Sequence, residues 1–162
     1  MDTPPATEYP ENIAVIHDWL VTFGGAEVVL EQILSALPNS DLFGIVERLT
    51  AANRQRLKSD KIFTSYVQRL PFARTNYWYY SLLMPLAVEQ FNLGQYDMIF
   101  SSSHAFAKGV IVSPDQLHIC YCHSPMRFAW DLQNYYLDKF GWQRGFRRLM
   151  ASLAFHYLRG WD

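Results

Sequence analysis

Between Ile13 and Val46 the chain passes from a short apolar run, Ile13 to Ile16, through the loop "HDWLVTFGGAE" into a helical pattern and then into a second apolar run, "DLFGIV". Ala26, Val29, Leu30, Ile33, Leu34 and Leu37 recur at the spacing of one helical stripe, while Glu27, Glu31 and Ser35 fall elsewhere. Pro38 and Asn39 stop that helix. A strand, a helix and a strand in this order favour two parallel strands, because the helix supplies the crossover that a parallel pair needs. This unit constrains the fold more than any other feature of the chain.

The later segments repeat the theme. Thr50 caps a short polar helix through Arg56, and "KIFTS" reads as a third strand, Lys61 to Ser65. "NYWYYSLLMPLAVEQF", Asn76 to Phe91, is helical in pattern, with Pro85 expected to kink it or divide it. "YDMIFSSS" and "LHICYCHSP" are apolar strands that run into polar loops, and "MRFAWDLQNYYL" and "FRRLMASLAFHYL" are helices parted by "KFGWQRG". Strands separated by helices predict an α/β fold: a Rossmann-like parallel sheet with helices on both faces. Residues 1–12, acidic and rich in proline, are expected to form a flexible leader to one domain over 13–162.

Composition narrows the class. An apolar fraction of 50% is enough for a sizeable core, and the start of the chain lacks the basic and apolar regions of a signal peptide. Cys120 and Cys122 lie two apart in a strand, poorly placed for a disulfide, and read as reduced core thiols. These features point to the cytoplasm. The net charge of -1 conceals an asymmetry, since all 14 Lys and Arg lie at or beyond Arg48. An anionic partner such as a phosphate ligand or a lipid surface suits that field, as does an ordinarily solvated surface.

Polar residues gather where the strands end: His17 and Asp18, Ser101 to His104, and His123 with Ser124. Loops beyond the carboxyl ends of parallel strands are where such sheets bind ligands. Gly24 and Gly25 offer backbone amides at the positive end of a helix, although Glu27 opposes an anion if it faces the same side, and a plain tight turn is the other reading. Neither the dinucleotide fingerprint nor the P-loop is present. His123 reads as a hydrogen-bonding or acid/base residue or as a structurally bonded one, and His118 and His156 as packing residues. Cys120, Cys122 and His123 lack the second ligand pair of a structural zinc site, and no serine-hydrolase elbow occurs. No metal is expected.

Four ordered motifs, "IAVIHDWLVTFGGAEVVLEQIL", "YDMIFSSSHAFAKGV", "LHICYCHSPMRFAWDL" and "LRGWD", together resemble the N-terminal half of family 4 glycosyltransferases, in particular the subgroup of bacterial O-antigen mannosyltransferases. The resemblance implies the first half of a GT-B fold, which holds the acceptor, facing a C-terminal donor-binding domain that is absent from this chain. It implies a retaining transfer of a hexose, mannose in the subgroup named, from a nucleotide-sugar to a saccharide or lipid-linked acceptor. No cofactor is implied beyond the nucleotide-sugar as co-substrate, and no nucleic acid is expected as a partner.

Carried over by motif, Gly24 and Gly25 meet the donor diphosphate and His123 lies near the transferred sugar. Asp18, Ser103, His104, Arg127, Trp130 and Asp131 are candidates for acceptor or cleft contacts. The segment "QRLPFARTNYWYYSLLMP", with Arg69 and Arg74 among aromatics, suggests peripheral contact with an anionic membrane on its inner face, or packing against the sheet. The chain alone is expected to be inactive. The alternative is a non-catalytic α/β module for protein interaction or ligand binding.

Overall fold

The computed structural model describes residues 10–59 and 61–162. Residues 1–9 of the expected leader lie outside the described residues. The amides of Glu11 and Asn12 donate to the Asp97 carboxylate at 3.2 and 3.0 Å, so the end of that segment is tied to the sheet.

The first strand, β1, spans Ile13–Leu20 and is followed by α1 at Gly25–Ala36 and β2 at Asp41–Glu47. Next come α2 at Ala51–Leu57, capped by the Thr50 hydroxyl, which accepts from the Asn53 amide at 3.2 Å, and β3 at Ile62–Thr64. A 3-10 turn at Tyr66–Arg69 leads to α3 at Ala73–Asn76, and another at Tyr77–Leu83 leads to α4 at Met84–Glu89. Pro85 sits in the first turn of α4, where its missing amide hydrogen costs little, so the proline divides the expected long helix at its start. β4 at Met98–Ser103, a 3-10 turn at Ala107–Gly109, β5 at Leu117–Cys122, α5 at Gln133–Lys139 and α6 at Gly145–Trp161 complete the chain.

The five strands are all parallel in the order β3-β2-β1-β4-β5. The chain first steps outward from β1 through β2 to β3, then returns to the other side of β1 to place β4. That reversal is the topological switch point beside which doubly wound sheets form their crevice. Two apolar cores cover the two faces. α1 and α2 pack Leu30, Leu34 and Leu57 against Val15 and Leu42, while α3, α4 and α6 pack against Ala14, Ile16, Phe43 and Ile99. Full burial of a leucine such as Leu30 is worth about 1.5–3 kcal/mol relative to exposure. The expected α/β sheet with helices on both faces is therefore the fold.

Several expectations change in detail. β1 continues four residues past Ile16, so His17 and Asp18 lie inside the strand. Ser101 to Ser103 belong to β4 and are buried rather than looped. The cysteines are exposed, because β5 is an edge strand whose Leu117, Ile119 and Tyr121 are also exposed. His156, expected to pack, is exposed on α6, and His118 contacts the Ser101 hydroxyl at 2.9 Å.

Candidate functional site

Of the polar side chains buried inside β1 and β4, His17, Asp18, Ser101 and Ser102 each find a partner on a neighbouring strand or the loop after it. Asp18 is fully buried, and it accepts from the amides of His104 and Ala105 on Oδ2, at 2.7 and 3.1 Å, and from those of Phe106 and Ala107 on Oδ1. One carboxylate thus folds the loop after β4 around itself. His104 Nδ1 lies 3.0 Å from Asp18 Oδ2 without an aligned hydrogen bond, and the contact is an ion pair when the ring is protonated. Burial by itself would raise the Asp18 pKa. The opposing His104 and His17 contacts and the backbone donor outweigh it and hold the carboxyl far below its usual range. Burial pulls His104 down, and Asp18 and Glu27 more than reverse this, so its pKa is raised.

A second chain of contacts starts at Glu27. Its Oε2 accepts from the Gly24 amide at 2.8 Å, the backward half of a capping box, and its Oε1 lies 3.7 Å from His17 Nε2. The fully buried His17 ring places Nδ1 3.0 Å from the Ser102 carbonyl oxygen and 3.2 Å from its hydroxyl. The Ser102 hydroxyl in turn meets His123 Nε2 at 2.9 Å. His123 follows β5 directly, with its amide donating to the Ser103 carbonyl at 2.8 Å, and its ring is partly exposed. Desolvation, then the neighbouring His17 and His104, lower its pKa and favour the neutral ring. The rings of His17, His104 and His123 stand 5.9–6.5 Å apart, a cluster that three separate strands bring together.

At the head of α1, Gly24 and Gly25 are exposed, as an anion site requires. They differ in availability. The Gly24 amide is taken by Glu27, whereas a side chain built at Gly25 would meet nothing within 4 Å. Ser103 is buried with its hydroxyl unpaired. Arg127, Trp130 and Asp131 stand apart: Arg127 and Asp131 pair at 3.2 Å on the surface, and the Trp130 indole donates to Asp162 at 2.9 Å. Hydrogen bonds do not link these three to the histidine cluster among the described residues.

Sequence reasoning passed over Glu27 and Ser102 as site residues. Glu27 had a signal, its position three residues after Gly24 in a glycine turn, which is where a capping carboxylate falls. Ser102 had none, since neither neighbouring serine is distinguishable from it in the sequence.

An aromatic groove of about 760 Å³ runs beside the cluster between the Tyr77–Leu83 turn, α5 and α6. Trp78, Phe140 and Trp142 line it, Lys139 and Arg147 also border it, and Trp19 forms one wall. Trp19 also meets the His104 ring edge to face, with 4.6 Å between ring centroids, so the groove and the cluster share this residue. Among the described residues no group of His, Cys, Asp and Glu is arranged to hold a metal ion, and no helix is long and apolar enough to cross a membrane.

Fold and site together define an α/β protein with a Rossmann-like parallel sheet and a buried polar cluster at its switch point. Comparison with protein-family models, curated proteins and solved structures found no match to the chain.

Proposed function

We propose that the chain is the acceptor-side domain of a retaining GT-B glycosyltransferase, which moves a hexose, with mannose the first to test, from a nucleotide-sugar to a saccharide or lipid-linked acceptor. The observation that carries the proposal is His123, a partly exposed imidazole held by Ser102 at the carboxyl edge of the sheet. Through Ser102, His17 and Glu27 it connects to the Gly24–Gly25 turn. As the sugar departs, its diphosphate gains negative charge. The Gly25 amide, at the positive end of α1 and with no atom within 4 Å of where its Cβ would stand, is suited to that charge, and fixed donors of this kind need no metal. In this reading Gly24 shapes the turn while bonded to Glu27, and a second Rossmann-like domain recognises the nucleotide.

The aromatic groove supports the lipid-linked form of the acceptor, because it joins an apolar trough with two basic side chains to the wall of the histidine cluster. Exposed Phe72 and Tyr79 near Arg69 and Arg74 support peripheral attachment to an anionic membrane surface in the cytoplasm. Flotation with anionic but not neutral vesicles is expected; equal recovery with both would remove the electrostatic attachment.

The test of the activity is a panel of nucleotide-sugars offered to the intact enzyme with a lipid-linked saccharide. Transfer is expected, with His123→Ala about 100-fold slower. No transfer from any donor, or an undiminished rate in that variant, overturns the proposal. The 162-residue chain by itself is expected to transfer nothing, and measured turnover by it would refute the two-domain assignment.

A second reading has its own observation. Phe146, Leu149, Met150, Leu153 and Tyr157 form an exposed apolar stripe along α6, which favours a module that binds another protein without catalysis. Under that reading the chain would associate with its partner unchanged by His123→Ala.

A further inference from the structure

The hydrogen bonds around Ser102 decide which nitrogen of His123 carries its proton. His17 Nδ1 lies 3.0 Å from the Ser102 carbonyl oxygen, which can only accept, so Nδ1 bears a hydrogen. The Ser102 hydroxyl, 3.2 Å from the same nitrogen, can then only accept from it and must send its own single proton elsewhere. The remaining polar contact of that hydroxyl is His123 Nε2, at 2.9 Å. Were Nε2 the protonated nitrogen, the buried hydroxyl would face two N–H groups and have no acceptor for its own hydrogen. Folded proteins leave very few buried donors unsatisfied in this way.

We infer that Ser102, oriented by His17, is a positioning residue that locks neutral His123 as the Nδ1–H tautomer, so that His123 meets a ligand as a hydrogen-bond donor and not as a base. His123 Nδ1 makes no hydrogen bond among the described residues and is not one of the buried unpaired atoms, so its N–H is open to solvent. A ligand oxygen, such as a sugar hydroxyl or a phosphoryl oxygen, is the chemical group it suits. A proton-abstracting role would need a lone pair on the exposed side, and the only lone pair of the neutral ring points inward at Ser102. The choice of a sugar or phosphoryl ligand rests on the proposed function, whereas the tautomer is a property of the unliganded chain.

The experiment is nitrogen–proton correlation NMR on the full chain with 15N-labelled histidine, at about pH 8, where a histidine of lowered pKa is neutral. The expected result is that His123 carries its proton on Nδ1, against the usual preference of free imidazole for Nε2. Ser102→Ala is expected to move the ring toward the Nε2–H form, and Ser102→Thr, which keeps a hydroxyl, to restore Nδ1–H. An Nε2–H ring in the unmodified chain overturns the inference even if the alanine variant fails to fold. An unchanged tautomer in a folded Ser102→Ala variant overturns it too. No sugar ligand enters this measurement, so its failure and the failure of the transferase reading are told apart.

Discussion

The carboxyl edge of β1 and β4 and the exposed surfaces of β5 and α6 are built on opposite terms. At the first, His17, Asp18, Glu27 and Ser101 to Ser103 are polar and buried. At the second, Leu117, Ile119, Tyr121, Phe146, Leu149 and Leu153 are apolar and exposed. In this chain, position in the sheet outweighs hydropathy. β1 has a neighbour on each side, and its polar side chains stay buried because β4 and its loop supply donors and acceptors. β5 has only β4, and nothing among the described residues covers its outer side. Exposed apolar groups are tolerable singly, but a buried unpaired charge is not.

The sharpest way to break this contrast is at Asp18. Replacing it with alanine strands four backbone amides and the His104 ring, and we expect a loss of about 3–5 kcal/mol in urea unfolding. That is a large share of a typical domain's stability, about 5–15 kcal/mol. The pH dependence follows from the same pair. The folded-state pKa of Asp18 is depressed, so its contribution is present above about pH 4, the unfolded carboxyl value, and is lost as pH falls below it. The pKa of His104 is raised, so its contribution is full below about pH 6.5 and disappears as pH rises through the higher folded value. Unfolding midpoints should therefore fall toward acid, and more gently above neutrality. A flat profile in the unmodified chain would show that the pairing contributes nothing.

The boundary between the two regions lies at Gly109, on the turn after β4, where the end of α6 docks. A Cβ there would collide with the ring of Trp161, at Cζ2 and Cη2. Gly109→Ala should cost about 1–3 kcal/mol by overpacking. It should also shift Trp161 fluorescence, and an unaltered midpoint would mean that the end of α6 yields freely. A smaller effect is expected at Glu27, whose charge depends on His17 and the Gly24 amide after burial is overcome. Glu27→Gln keeps an acceptor for Gly24 and loses the charge, for about 1 kcal/mol. No change in stability would show that His17 does not sense that carboxylate.

The parallel sheet was legible because α1 and β1 declare themselves locally: a glycine turn, a leucine stripe and a proline stop need no tertiary knowledge. The site was legible only in outline. His123 follows an apolar run and stands out, and Gly24 and Gly25 do too. The link from Glu27 through His17 to Ser102 joins residues far apart in the chain, and nothing local marks which of three serines faces which histidine. The exposure of Cys120 and Cys122 departs from the expected core thiols for a related reason. An apolar alternation looks the same in a central strand and in an edge strand, and strand order is a long-range property.

The exposed surface of α6 supplies the last and smallest effect. Leu149 and Leu153 are each more than half exposed on α6, so converting either to glutamine removes little buried area. Glutamine is nearly as good a helix former as leucine, which leaves propensity almost unchanged. The expected change in unfolding free energy is within about 0.5 kcal/mol. Solubility at high concentration should rise, since the substitutions interrupt a stripe that also includes Phe146, Met150 and Tyr157. A loss of 2 kcal/mol or more, on the scale of buried-leucine truncations, would instead mean that this face is covered in solution. That surface would then obey the same rule as the strand-end cluster, with a partner in the role that β4 plays for β1.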